Sequence, residues 1–330
     1  MFENKIVFIT GGTGSWGYHL TKRLLKENAK EIRIYSRNEA SQVSMKRKFH
    51  NNCLKFIIGD VRDEENLRKA MQGSNYVFHL AALKHVPICE YQPEEAIATN
   101  IIGTTNVINA AIENKVEKVI AVSSDKAVSP CNVYGMTKAI EEKLMLIANK
   151  RNADTKFVCV RAGNVMGSTG SVIPLFINQL KTGGEITITD ENMTRFFITL
   201  DEAINLLIKA SIMSYGGEIL VMKMPSLKIV SLVEVLNKHY GDKSLNINYI
   251  GIRPGEKINE ELISNIESSS TFMLDDNYYL VVSEILKDDL YNNYNNFKDY
   301  KKLDFNSYTS CDSLLTNKQI EERLKEGGFI

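Results

Sequence analysis

Net charge is the first thing this chain lacks. Its 330 residues carry 40 Lys and Arg against 40 Asp and Glu, with charged residues at 24 %. A protein that binds nucleic acid or an anionic bilayer concentrates basic charge, so neither partner is expected. Cysteine is scarce as well: Cys53, Cys89, Cys131, Cys159 and Cys311 are scattered and odd in number. No two of them have metal-ligand spacing, which predicts reduced, mostly buried thiols and no metal centre. No apolar run approaches the ~18 residues that a membrane-spanning helix needs. The first β-like run begins at Lys5 with no signal peptide ahead of it, so the expectation is a soluble cytoplasmic protein. Internal repeats and low-complexity linkers are absent too. The length suits one large domain, or two lobes sharing one chain.

What is present is alternation. Residues 5–10 form a short apolar run, as a parallel strand buried on both faces requires. Gly11-Gly12-Thr13-Gly14-Ser15-Trp16-Gly17 follows, and then a helical pattern through Leu20, Leu24 and Leu25. Glycines between strand and helix let backbone approach a pyrophosphate, which then meets the N–H groups of the helix start. Residues 31–36 read as a second strand ending at Ser36-Arg37, a pair that suits a ribose 2′-phosphate and so favours NADP; Glu39 keeps NAD open. A third strand, 54–60, ends at Asp60-Val61, where a carboxylate could meet an adenine amino group. A fourth, 76–82, ends in Ala81-Ala82, small enough for a cofactor to lie across them, with Lys84 and His85 just beyond. His79 lies inside the apolar run and reads as a core histidine. Amphipathic stretches of helical length separate the strands, the longest at 94–114. This is an α/β pattern: a doubly wound parallel sheet of the NAD(P)-binding Rossmann type.

The chain is organised around residues 119–138. An apolar β-run breaks at Ser123-Ser124-Asp125-Lys126 and resumes, after Pro130, in a helix carrying Tyr134 and Lys138. Residues four apart share a helix face. A phenol ionises near pH ~10, and an adjacent ammonium favours its anion, so the pair can make a general base near neutrality. Ser124 can bond a substrate hydroxyl, Asp125 can act as an acid and Lys126 as a second base. A sixth strand, 156–161, leads to Ala162-Gly163-Asn164. Thereafter alternation loosens: β-like runs at 185–190, 218–224 and 246–253 interleave with helical patterns such as 199–213. The division expected is a dinucleotide-binding domain at 1–165 and a smaller C-terminal substrate lobe at 166–330, some of whose segments return to the first sheet. Residues 291–312 read as an extended surface segment, and 316–325 as a helix with too few apolar residues to be buried all round.

The glycine-rich turn, Asp60 and the serine-tyrosine-lysine set together resemble the extended short-chain dehydrogenase/reductase superfamily. Further runs narrow the likeness: Tyr35-Ser36-Arg37, Ile58-Gly59-Asp60-Val61-Arg62-Asp63, Ala82-Leu83-Lys84-His85-Val86-Pro87, Ser124-Asp125-Lys126-Ala127, Gly163-Asn164-Val165, Gly170-Ser171-Val172-Ile173-Pro174, Met193-Thr194-Arg195-Phe196 and Gly251-Ile252-Arg253-Pro254-Gly255-Glu256-Lys257. These are similar to the nucleotide-sugar branch that acts on UDP-N-acetylglucosamine. Nearest are the configuration-inverting 4,6-dehydratases that open pseudaminic acid synthesis. The likeness reaches about Ser264.

The resemblance implies chemistry. Tyr134, aided by Lys138, takes the proton of the sugar 4-hydroxyl as hydride leaves C4 for the nicotinamide. The ketone acidifies C5–H; Lys126 removes that proton and Asp125 protonates the departing 6-hydroxyl, giving a 4-keto-5,6-ene. Hydride returns to C6 and a proton to the opposite face of C5. The cofactor, regenerated each turn, stays bound. Lys84, Asn164, Arg195, Arg253 and Glu256 are the substrate contacts implied, the arginines as clamps on the UDP pyrophosphate. Self-association as a dimer or hexamer is implied too. One departure stands out: Ala162 occupies a position that close relatives commonly fill with tyrosine, which suggests release of the ene. A UDP-N-acetylglucosamine epimerase acting at C5 or C3 after dehydration is the competing enzyme; a simple 4-epimerase needs no Asp-Lys acid/base pair. A cofactor-binding protein without chemistry is the non-catalytic alternative.

Overall fold

The structure, a computed structural model, describes residues 1–152, 154–168, 171–183, 185–241, 245–294, 300–303 and 305–330. Six strands open the chain: β1 (Ile6–Thr10), β2 (Glu31–Ser36), β3 (Leu54–Ile58), β4 (Tyr76–His79), β5 (Lys118–Ser124) and β6 (Lys156–Ala162). All pair in parallel in the order β3-β2-β1-β4-β5-β6. That is the doubly wound arrangement, and its order reverses between β1 and β4. Covering layers make the central strands apolar: every residue of β4, and all but the first of β1, is buried, while β2 and β3 towards the edge carry Glu31, Arg33 and Lys55. Helices Glu64–Met71, Gly103–Glu113 and Val133–Arg151 pack with one another, while Ser15–Lys26 packs with Leu200–Met213.

The remaining strands are β7 (Asn164–Val165), β8 (Ile186–Ile188), β9 (Thr194–Ile198), β10 (Glu218–Met222), β11 (Ser226–Lys228), β12 (Ile247–Tyr249), β13 (Glu261–Ile263), β14 (Thr271–Asp275), β15 (Tyr278–Val282), β16 (Lys301–Lys302) and β17 (Tyr308–Thr309). β10 joins β6 in parallel; β15, β14 and β16 then extend the sheet antiparallel, to ten strands. A second core gathers Ile173, Phe176, Ile186, Ile188, Phe197, Leu232 and Leu236 with Ile320 and Leu324 of the last helix, Asn317–Glu326. That helix buries only this stripe, as its composition predicts.

Several expectations need correction. Residues 291–312 are not an extended surface segment. The end of helix Lys287–Asn293, β16 and β17 lie within it, and Tyr294 and Tyr308 are buried with hydroxyls donating to Glu218 Oε1 and the Met224 carbonyl, both at 2.9 Å. The tyrosines supply apolar bulk that an aliphatic count does not register; residues 295–299 and 304 lie outside the described residues. The strand expected at 246–253 shrinks to β12. The helix expected at 94–114 is broken by a π-helical stretch, Ile97–Ile102, where Asn100 turns inward to bond Leu83 and Thr137. Of the cysteines, Cys89 and Cys159 are buried, but Cys131 and Cys311 are exposed. Among the described residues no helix is long and apolar enough to cross a membrane.

Candidate active site

The strand order reverses beside a cleft of about 620 Å³, at the carboxyl ends of β1, β4 and β5. Thr10 fastens the first two ends together. Its hydroxyl oxygen accepts the N–H groups of Leu80 and Ala81 at 3.1 and 3.2 Å and bonds His79 Nδ1 at 2.7 Å. His79 Nε2 reaches Thr104 Oγ1 at 3.0 Å. Burial drives the imidazole pKa down to about 3, helped by the Lys138 charge, so His79 is the satisfied core histidine expected. Gly11 must be glycine: its φ is +64°, and a Cβ there would stand 2.8 Å from the Ala81 nitrogen.

Every residue expected to hold the dinucleotide lines this one cleft: Gly11, Thr13, Gly14, Ser15, Trp16, Gly17, Ser36, Arg37, Asp60, Val61, Ala81, Ala82, Lys84, Tyr134 and Lys138. Gly14, the N-cap of the first helix, brings no side chain to the opening turn. Ser36 is pinned by Gln42, whose Nε2 donates to its hydroxyl at 3.0 Å. Arg37 is exposed, with Nη1 3.7 Å from Asp60 Oδ2. Burial would raise the Asp60 carboxyl, but Arg62, donating to Oδ2 at 2.7 Å, and Arg37 hold it below its ordinary value. The residues present fit a dinucleotide: a glycine cradle at a helix start, alanines across the strand ends, and an arginine beyond β2. Among the described residues no cluster of His, Cys, Asp or Glu could hold a metal.

The acid/base set meets at the end of β5. Asn132 caps helix Val133–Arg151, its Oδ1 accepting from Gly135 N at 2.7 Å, and so aims Tyr134 and Lys138 into the cleft. Gly135 lies against the preceding turn; a Cβ there would be 2.2 Å from the Lys126 carbonyl oxygen. Ser124 Oγ donates to Asp125 Oδ1 at 2.8 Å, and Lys126 Nζ donates to the same oxygen at 3.2 Å. Burial raises the Asp125 carboxyl above its usual range, the nearby Glu260 charge adding to it. For Lys126 burial acts downward, yet Asp125 and Glu260 override it and hold the ammonium charged. Burial likewise pushes the Tyr134 phenol up, and Lys138, Ser124 and Lys126 oppose it only in part. On the base expected of Tyr134 and Lys138, burial and the Lys138 ammonium therefore act in opposite directions. Lys138 is also engaged elsewhere, donating to Glu141 Oε2 at 2.5 Å.

Of the expected substrate contacts, Lys84 and Asn164 line the cleft; Arg195, Arg253 and Glu256 do not. Arg195 is buried behind the site, donating to the Thr194 and Ile258 carbonyls at 2.7 and 3.0 Å. Arg253 is exposed on the loop after β12. Gly170 of the expected motif lies outside the described residues; Ser171 and Val172 line the cleft. Three residues escaped the sequence reading. Glu141 carried a signal, standing three positions after Lys138 on one helix face. Glu260 and Asn100 carried none, since only the fold brings them to Lys126 and Leu83.

Comparison with known proteins agrees with this geometry. The family described as "Polysaccharide biosynthesis protein" matches residues 7–282. An uncharacterised membrane protein of Methanocaldococcus jannaschii is 41 % identical, covering 100 % of this chain and 98 % of its own. A UDP-glucose 4-epimerase of Rickettsia rickettsii is 48 % identical over 84 % of this chain and 83 % of its own. The inverting UDP-N-acetylglucosamine 4,6-dehydratase of Campylobacter jejuni is 46 % identical over 86 % and 85 %. The X-ray structure of Pen from Bacillus thuringiensis superposes with a TM-score of 0.92 at 39 % identity, covering 100 % of this chain and 99 % of that one. A family match across most of the chain, together with the doubly wound sheet and its cleft, makes this protein a member of the polysaccharide biosynthesis protein family, with the short-chain dehydrogenase/reductase fold.

Proposed function

We propose that the protein is a UDP-N-acetylglucosamine 4,6-dehydratase that inverts C5 and uses NADP. The observation that carries this reading is the pair of buried Asp125 and half-buried Lys126 beside Ser124, Tyr134 and Lys138. Oxidation and reduction at one carbon need only the tyrosine and lysine; elimination of water needs a further acid and base. Arg37 and Ser36 line the cleft and Glu39 does not, which supports NADP over NAD.

A bound oxidised nicotinamide supplies the hydride acceptor and a positive charge that favours the Tyr134 phenolate. Tyr134 then takes the proton of the 4-hydroxyl, with Ser124 orienting that oxygen. The resulting 4-ketone acidifies C5–H. Lys126 and Asp125 rest as ammonium and carboxylate, and moving one proton across their 3.2 Å contact gives amine and carboxylic acid. In that form Lys126 removes the C5 proton as Asp125 protonates the departing 6-hydroxyl. The pair ends as ammonium and carboxylate again, so the elimination needs no outside proton. Lys84 and Asn164 hold the sugar nucleotide. The reading includes cytoplasmic location and self-association as a dimer or hexamer.

Ala162 favours one variant of this reading. It lines the cleft, paired with Ser124 across β5 and β6, where a tyrosine would add a hydroxyl near the sugar. In that variant the enzyme releases the 4-keto-5,6-ene before C5 is inverted, or protonates C5 differently. Incubation with UDP-N-acetylglucosamine in deuterated water, followed by NMR and mass spectrometry, decides. Loss of water with a C6 methyl, deuterium at C5 and L-arabino configuration supports the inverting dehydratase. Vinylic C6 protons support release of the ene. Retention of water with a changed C4 configuration would establish an epimerase instead, and an unchanged sugar would remove this substrate.

A further inference from the structure

Behind the acid/base pair lies a charged group that the mechanism above leaves unused. Glu260 enters from the segment preceding β13, 2 % exposed, with Oε1 3.1 Å from Lys126 Nζ and 3.6 Å from Arg195 Nε. The segment is fixed from three sides. Lys257 Nζ donates to the Val128 carbonyl at 2.8 Å, the Glu260 N–H donates to Ser310 Oγ at 2.9 Å, and Arg195 Nη1 donates to the Ile258 carbonyl. Lys126 is thus shared between two buried carboxylates, at 3.2 Å from Asp125 and 3.1 Å from Glu260. The second oxygen of each, Asp125 Oδ2 and Glu260 Oε2, accepts no hydrogen bond among the described residues.

The two carboxylates are not equivalent. Glu260 faces Lys126, Arg195 and Lys257; Asp125 faces one cation, Lys126, together with the Glu260 charge, the Ser124 hydroxyl and the Tyr134 phenol. Two carboxyl groups whose surroundings differ in this way divide into one permanent anion and one proton carrier. We propose that Glu260 is the positioning residue of the elimination step: it anchors the Lys126 ammonium against Asp125 and keeps a fixed negative charge beside Asp125, so that the mobile proton goes to Asp125. The opposite shifts of the two carboxyl groups, Asp125 up and Glu260 down, agree with this division. The inference deepens the dehydratase reading and rests on it for its catalytic consequence. The division of charge itself rests on geometry alone.

Glu260→Gln in the full chain, loaded with NADP, tests it. Aspartate side chains labelled with carbon-13 are titrated by NMR, the Asp125 signal being assigned by its loss in Asp125→Asn. The Asp125 carboxyl must titrate at lower pH in Glu260→Gln than in the wild type, because a like charge has gone. With UDP-N-acetylglucosamine, formation of reduced cofactor at 340 nm should persist while dehydration falls at least ~10-fold, and the acid limb of kcat should move to lower pH. Glu260→Asp, which keeps the charge but withdraws it, should shift both measurements less and in the same direction, and it decides the matter if the glutamine variant does not fold. An unmoved Asp125 titration overturns the proposal, as does equal loss of cofactor reduction and dehydration, which would mark a merely structural role. If the wild type leaves this sugar nucleotide unchanged, the dehydratase reading fails, and the titration still decides the division of charge.

Discussion

At the scale of single residues, burial decides which titratable groups are ready to react. Tyr134 and Lys126 are both held in their protonated forms, the first by desolvation and the second by two carboxylates. Tyr134→Phe removes the phenol beside Ser124 in the cleft; kcat should fall ~10²- to 10⁴-fold, with the melting temperature nearly unchanged. The check is reduced-cofactor absorbance on mixing with the sugar nucleotide, which should vanish. Arg37 lies at the cleft wall with an exposed guanidinium. On the proposed NADP reading, charged hydrogen bonds from it to a 2′-phosphate would be worth about 1.5–3 kcal/mol, so Arg37→Ala should weaken NADP binding by ~10- to 100-fold and leave NAD almost unaffected. Calorimetric titration with both cofactors measures that difference, and equal loss of the two would argue against NADP.

At the scale of elements, the approach of helix Val133–Arg151 to the turn Asp125–Ala127 sets the site. In an exposed helix Gly→Ala gains about 1 kcal/mol. At Gly135 the added carbon would meet the Lys126 carbonyl at 2.2 Å, against backbone that cannot turn aside. The clash should win: Gly135→Ala is expected to lose ~1–3 kcal/mol in urea unfolding and most of the activity, since it displaces Lys126. Much at this scale was legible in the sequence. Residues 31–36 were read with the bounds of β2, because Ile32, Ile34 and Tyr35 mark a short β-run that closes at the polar pair Ser36-Arg37. The π-helical stretch at Ile97–Ile102 was not legible, since its cause is the inward turn of Asn100 to Leu83, which is far away in the sequence.

At the scale of the whole molecule, an ion-pair network ties β6 to helix Val133–Arg151 and to the helical turn Asn265–Ser268. Arg161 on β6 donates to both Glu142 oxygens, at 2.8 and 2.7 Å, and to both Glu267 oxygens, at 2.9 and 2.7 Å. Arg161→Met strands the buried Glu142 carboxylate and the half-buried Glu267 carboxylate and should cost about 3–5 kcal/mol in urea unfolding. The arginine holds Glu267 down at about 2, against an ordinary value of 4.5, with burial acting the other way. A depressed carboxyl stabilises the fold above its unfolded value, and that stability is lost as pH falls through the folded one. Wild-type stability should therefore decline between pH 4.5 and about 2, by up to ~3 kcal/mol from this group. The Glu267→Gln variant should show a shallower decline over that window.

The sequence by itself determined the parallel sheet and most of the cleft. Strand periodicity, the glycine turn and the Tyr134–Lys138 spacing are local patterns, and local patterns survive in one dimension. The tertiary structure alone decided which distant charges meet. It moved Arg195, Arg253 and Glu256 off the cleft wall, set Glu260 against Lys126, and folded Tyr294 and Tyr308 into the core. Which of several carboxylates or tyrosines in a polar stretch is buried depends on chain brought back from far along the sequence, 76 residues for Tyr294 and 84 for Tyr308, and neither composition nor spacing in such a stretch carries that information.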